Sequence, residues 1–313
     1  MSRVSILPVE LAHMLPTPSN SDDEHFAFFR LPHPRTGLPS LFLPYAASLL
    51  EVQAVEPPNP RSWFIDQEVL SDGRLILMTP IDPTFLLLWV LRAAKPEAAG
   101  LLRPADDIFE EAIANLTQST SEESRAAPAV STEDLTRFVE LDCTKRAMSR
   151  VCEVKEISDE LTVYRYSQVK TIEFLRQKVA TVLSSEEFEQ NRTIIRGLAK
   201  NGLMEDGNEK LLEEGRLQAS CDLVSQYISP ELKAALLATY ELSALDKHVK
   251  AIQETALASA AIDVNGGSDK GKKGTKAAED KKRKSVKGST GVEKLKKANT
   301  KGMSKISSFF AKS

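Results

Sequence analysis

Seven consecutive apolar residues, Phe85-Leu86-Leu87-Leu88-Trp89-Val90-Leu91, follow Thr79-Pro80-Ile81-Asp82-Pro83-Thr84. Asp82 is positioned to accept from the first free helical N–H groups, and Pro83 suits the first helical position, where its missing donor is not needed. The spacing predicts a helix that starts at Pro83. Its apolar residues occupy every face, so it must be covered on more than one side. The run is far shorter than the roughly 18 to 20 residues of a membrane span, and no membrane helix is expected. The first 95 residues offer little material for such cover. Either residues 100–240 supply it or another chain does.

The residues before this helix read as short strands punctuated by proline and glycine. Phe26 to Leu31, Leu38 to Leu43, Leu49 to Val55 and Trp63 to Val69 are rich in aromatic, aliphatic and β-branched residues. Pro32, Pro34, Gly37, Pro44, Pro57, Pro58 and Pro60 separate them, as expected for a small β-rich unit. Ser71-Asp72-Gly73 lies between two apolar runs, and Asp-Gly in that setting predicts a hairpin turn.

From residue 104 the pattern becomes helical. Pro104-Ala105-Asp106-Asp107 opens a segment through Leu116, and Gln118 to Pro128 reads as a loop. Ser131-Thr132-Glu133-Asp134 opens another helix with acids in its first turn, as the helix dipole favours. Lys145 to Val151 reads as a short helix, and Val151 to Ile157 with Leu161 to Tyr166 as a small hairpin. Ser167 caps a longer helix in which Val169, Ile172, Leu175, Val179 and Val182 recur every three or four residues. Glu209 to Tyr227 and Pro230 to Leu242 give two more.

The formal charge of −3 conceals a partition. Residues 264–313 carry 15 Lys or Arg against 4 acids, and the remainder holds 26 against 40. An acidic body with a basic tail points the tail toward nucleic acid, nuclear import or a partner. The tail has no aromatic between residues 264 and 302 and is dominated by Lys, Gly, Ser, Thr and Ala. Such a segment cannot offset roughly 1 to 2 kcal/mol of backbone entropy per residue, so disorder is expected from residue 246 onward.

Catalytic constellations are not legible. His13, His25, His33 and His248 have neither metal-ligand spacing nor a Cys-x-x-Cys neighbour, and Cys143, Cys152 and Cys221 read as three free thiols. No nucleophile elbow, phosphate loop or dinucleotide-binding glycine motif occurs. Asp66, Asp72 and Asp82 could suggest a carboxylate cluster, but the last two already have turn and cap explanations.

Two tail features carry information. Lys281-Lys282-Arg283-Lys284 reads as a nuclear-import signal or a nonspecific phosphate contact. Near the end, one helical turn would bring Ile306 beside Phe309 and Phe310. This segment resembles the sliding-clamp-binding box of replication and repair proteins, with Met303 where that pattern has Gln.

The body carries a second resemblance. Ser62-Trp63-Phe64-Ile65-Asp66-Gln67, Asp72-Gly73 and Thr79-Pro80-Ile81-Asp82-Pro83-Thr84-Phe85 through Leu88 are similar to a stretch of the B subunit of eukaryotic ribonuclease H type 2. Tyr164-Arg165-Tyr166-Ser167 leading into Lys170 to Leu175, and Val224 to Leu232, resemble later signatures of that family. The resemblance implies an α+β chain with a β-rich barrel-type domain at 1–95, shared with a partner as a triple barrel. A helix and linker at 96–130, a mainly helical winged-helix-like domain at 131–245 and a disordered basic tail at 246–313 would follow. It further implies a non-catalytic member of a heterotrimer, joined there by the catalytic A subunit, which holds the metal, and the C subunit, which shares the barrel. That complex cleaves RNA in RNA–DNA hybrids and incises at ribonucleotides in DNA, in the nucleus. No cofactor is expected in this chain, and Mg²⁺ is expected on the catalytic partner.

Under this resemblance Trp63, Phe64, Phe85, Leu88 and Trp89 are expected in barrel and interface packing. Lys170, Arg176 and Lys178 are expected to offer a weak nucleic-acid surface, and Met303, Ile306, Phe309 and Phe310 to bind the clamp. The alternative is a nuclease-independent adaptor that binds clamp and nucleic acid.

Overall fold

The computed structural model describes residues 3–14, 27–59, 61–94, 101–118, 131–158 and 161–265. The chain divides into compact units of residues 1–259 and 260–313. The first unit opens with β1 (Val4–Ile6) and α1 (Val9–Met14), then β2 (Phe29–Pro32), β3 (Pro39–Tyr45) and β4 (Ser48–Val55). A ribbon of β5 (Trp63–Ile65) and β6 (Glu68–Leu70) precedes β7 (Leu75–Ile81). The five-stranded sheet runs β1-β7-β4-β3-β2, antiparallel except for β1, which lies parallel to β7.

Strand alternation gives this sheet two buried faces. Phe29, Leu31, Phe42, Leu49 and Ile81 point into the main core, while Leu43 and Leu50 join Leu11 of α1 in a smaller cluster. The period of two assigns each neighbour on β3 and β4 to the opposite side.

The apolar run forms α2 (Pro83–Ala93), and the Asp82 carboxylate accepts from Thr84 N at 2.9 Å, as the sequence predicts. After it come β8 (Arg103–Pro104), α3 (Ala105–Gln118), α4 (Thr132–Glu140), α5 (Asp142–Val151), β9 (Cys152–Ser158) and β10 (Leu161–Tyr166). The three short strands form a sheet with β10 in the middle, beside α3 and α5, the winged-helix arrangement. Ser167 caps α6 (Gln168–Leu183), followed by α7 (Glu186–Glu189), α8 (Arg192–Lys200), α9 (Glu209–Val224), a 3-10 turn at Ser225–Tyr227, α10 (Pro230–Leu237) and α11 (Ser243–Asn265).

Two expectations change, and the open alternative over the cover of α2 is decided. The cover for α2 comes from this chain: α3 and α5 pack on it, and Phe85 meets Phe174 of α6 edge-on at 5.9 Å between centroids. Sheet and helices consequently share one core.

The hairpin lies elsewhere than Asp72-Gly73. Strands β5 and β6 pair across Asp66-Gln67, where Asp66 takes φ 50°, and β7 pairs with β4 and β1 instead of β6. The Asp72 carboxylate binds Arg74, accepting from its backbone N at 3.1 Å and from Nε at 2.9 Å. A Cβ on Gly73 would sit 2.3 Å from the Arg61 carbonyl oxygen, so glycine is required for backbone approach and not for a positive φ.

The helical region also extends past residue 246. Helix α11 continues through Asn265, held by buried Leu245 and by His248, whose Nε2 lies 3.1 Å from the Asn201 carbonyl. Alanine-rich composition favours this extension. Of the segment expected as a loop, Gln118 to Pro128, all but Gln118 lies outside the described residues, as do Asp159, Glu160 and His25.

Candidate assembly interface

Among the described residues, the sheet is closed on one flank and open on the other. On β2 the outward Arg30 N–H donates to the Asp134 carboxylate of α4 at 3.0 Å, and Arg137 lies 4.7 Å from the Phe29 ring centroid. That strand edge is capped by its own chain. Among the described residues, the opposite edge, β1, has β7 as its single strand neighbour, and Ile6 is exposed. Unpaired edges invite another strand.

The β5–β6 ribbon stands beside this open flank. Trp63 Nε1 donates to Arg74 O at 3.3 Å, which ties the ribbon to the start of β7. Asp72 locks the same junction, and hydrogen bonds from Arg74 hold its carboxyl at about 2. Cross-strand partners Phe64 and Val69 are 81% and 61% exposed, and Ile65 is exposed too. Val55 is exposed as well, and Leu75 through Met78 are half-buried. Large apolar side chains clustered on one flank mark an interaction surface.

The expected interface residues therefore separate. Phe64 is presented outward, Trp63 is half-buried at the ribbon base, and Trp89 is half-buried against the core. Phe85 and Leu88 lie inside the chain's own core, the packing side of their expected role.

The winged-helix part is fastened to the sheet by two polar hubs. Asp82 receives Arg150 of α5 at 2.9 Å and Lys178 of α6 at 2.7 Å, in addition to capping α2. Burial pushes the Asp82 carboxyl up, but hydrogen bonds from Lys178 and Thr84 outweigh it and hold the group below the ordinary carboxylate range. The second hub is Glu51, buried on the helix-facing side of β4. Its carboxylate accepts from Tyr227 Oη at 3.1 Å and lies 3.8 Å from His33 Nε2. The Tyr227 ring sits 5.5 Å from both the His33 and Phe85 rings. Burial and the Glu51 charge raise the Tyr227 phenol to about 12.

Sequence reasoning missed this second hub. Its signal was a carboxylate at the inward position of the otherwise apolar run Leu49-Leu50-Glu51-Val52.

The three cations expected to face nucleic acid have intrachain work. Lys170 Nζ donates to Ser149 O at 3.2 Å and Cys152 O at 2.7 Å, closing the carbonyl end of α5. Lys178 is held by Asp82, and Arg176 lies 5.5 Å from the Tyr240 ring centroid. Each of the three thus has a partner within the chain. The residues proposed for nuclear import, Lys281, Lys282, Arg283 and Lys284, and for clamp binding, Met303, Ile306, Phe309 and Phe310, lie outside the described residues.

Among the described residues, no group of three or more His, Cys, Asp or Glu is placed to hold a metal ion, and no helix is long and apolar enough to cross a membrane. Cys143, Cys152 and Cys221 are free and buried. Burial pushes all three thiols up, Cys152 to about 12 and Cys221 to about 11.

A five-stranded β-sheet fused to a winged-helix module, with an exposed apolar ribbon beside the sheet, defines an α+β protein of β-domain and winged-helix type. Residues 15–82 match the model of the Ydr279p protein triple barrel domain, and residues 85–237 match the wHTH domain of the Ydr279p protein family, described as an RNase H2 complex component. The chain belongs to this family, that of the ribonuclease H2 B subunit. The Xenopus tropicalis ribonuclease H2 B subunit is 30% identical over 226 residues, which cover 69% of this chain and 64% of that relative. The Xenopus laevis protein is 28% identical over 305 residues, covering 93% and 88%, and the human one is 26% identical over 212 residues, covering 66% and 60%.

Proposed function

We propose that this chain is the non-catalytic member of a ribonuclease H2 heterotrimer, sharing its barrel with the C subunit while the pair supports the catalytic A subunit. The observation that carries this reading is the exposed Phe64–Val69 pair beside the open β1 edge. A partner barrel strand would gain both backbone pairing and apolar burial there. In this reading Mg²⁺ and phosphodiester hydrolysis belong to the catalytic partner, and the assembled enzyme cleaves RNA in RNA–DNA hybrids and incises at ribonucleotides in DNA. The basic run Lys281 to Lys284 supplies nuclear import. Met303, Ile306, Phe309 and Phe310 hook the complex to the sliding clamp.

Co-expression with the A and C subunits tests the reading. A 1:1:1 assembly is expected, with hybrid cleavage that disappears when this chain is omitted. Phe64→Ser with Val69→Ser should abolish assembly while leaving the melting temperature of the isolated chain nearly unchanged. A monomer that never joins such an assembly would instead favour the nuclease-independent adaptor. For the hook, a peptide of residues 298–313 should bind the clamp and lose binding when Phe309 and Phe310 become Ala.

A further inference from the structure

Helix α8 presents Arg192, Arg196 and Lys200 at successive intervals of four residues. At 100° per residue these three side chains fall within an arc of about 80°. The opposite arc holds Ile194, Gly197, Leu198 and Asn201, which line the groove toward α9 and α11. The cations are all exposed, and among the described residues none has an ion-pair or hydrogen-bond partner for its side chain.

Elsewhere in the chain Arg74, Arg92, Arg137, Arg150, Arg216 and Lys233 each meet a carboxylate, and the body as a whole is acidic. The nearest acid upstream on the chain, Glu189, is taken by Arg216 at 2.5 Å. Two like-charge contacts at i,i+4 weaken a helix, so the row is not explained by the stability of α8.

We propose that the outer face of α8 is a contact site for a nucleic-acid phosphate backbone. The row spans about 12 Å of helix, which passes three to four phosphates at roughly 3.4 Å of axis per strand. Two of the three groups are guanidinium ions, whose planar fork matches phosphate oxygens. The site contains no aromatic residue and no side chain shaped for base edges, so it would position the duplex without reading sequence. It is separate from the Lys170, Arg176 and Lys178 set, whose side chains are already engaged.

The test uses the full chain alone, so its outcome is independent of the assembly reading. Because the tail would bind phosphate as well, the background carries Lys281, Lys282, Arg283 and Lys284 all changed to Gln. In that background, Arg192→Gln, Arg196→Gln and Lys200→Gln are combined, and anisotropy is read on a fluorescein-labelled DNA duplex and on the RNA–DNA hybrid of the same sequence. The slope of log affinity against log salt should fall by about 2.7, so that from about 50 to about 200 mM salt the parent loses roughly 40-fold more affinity than the variant. Both probes should respond alike. Thermal melting should show the variant at least as stable as the parent, since repulsion has been removed. An unchanged slope overturns the proposal. So does a variant with intact duplex binding that loses affinity for the A and C subunits, which would assign the face to an acidic protein surface.

Discussion

The Tyr227 hydroxyl donates to the Glu51 carboxylate across 3.1 Å, joining residues 176 positions apart. Glu51 is 2% exposed and sits on the sheet, while Tyr227 follows the last turn of α9. A carboxylate buried at that junction requires this donor, because a buried charge without partners is costly. The contact therefore fastens the winged-helix module to the barrel.

Replacing Tyr227 by Phe should keep the ring contacts to His33 and Phe85 and remove the donor alone. A loss of about 1.5 to 3 kcal/mol in denaturant unfolding is expected, the range for a hydrogen bond to a charged group. Equal stability of variant and parent would show that water replaces the hydroxyl.

Stability should fall on the acid side through His33. Burial lowers its pKa, Arg35 lowers it further, and Glu51 opposes them. With the folded value below the ordinary value of about 6.5, the unfolded chain binds more protons in the window beneath 6.5. The contribution is thus complete above that pH and is lost as pH falls through the window. His33→Gln should flatten the slope of unfolding free energy against pH there.

Asp82 combines a helix cap with two ion pairs, and two substitutions separate them. Asp82→Asn keeps an acceptor for Thr84 N but removes the charge facing Lys178 and Arg150. Asp82→Ala also removes the cap and should cost about 0.5 to 2 kcal/mol more. The folded carboxyl titrates below its ordinary range, so its stabilisation is present above that range and is lost as pH falls. The Asn variant should lack that acid-side loss in urea unfolding measured from neutral pH downward.

Gly73→Ala should destabilise by about 1 to 3 kcal/mol despite an ordinary φ, because the new methyl would meet the Arg61 carbonyl. By displacing the ribbon, the same change should also weaken the proposed assembly with the C subunit. Binding measured by titration with that partner would check it, and a variant of full stability and affinity would remove the close-approach argument.

Much of the helical part was legible locally. Asp82-Pro83, Ser131 and Ser167 start helices where their side chains accept backbone N–H groups, and the period of Val169 to Val182 marks α6. The tetrapeptide α7 and the helix α8 leave no comparable local signal. The first is too short to show a period, and the second buries no residue fully. The Asp-Gly signal misled, since strand pairing is decided by partners distant in sequence and β7 found β4.

By itself the sequence determined many of the element types, several caps, the charge partition and the need to surround α2 on several sides, because each depends on residues within a few positions of one another. Tertiary structure alone decided what surrounds α2 and where Glu51 finds its hydroxyl. It also decided that Phe64 faces outward while Phe85 faces inward. Both are phenylalanines in apolar surroundings, and only the packing of distant segments distinguishes a ring on a two-stranded ribbon from one set against Phe174 and Tyr227.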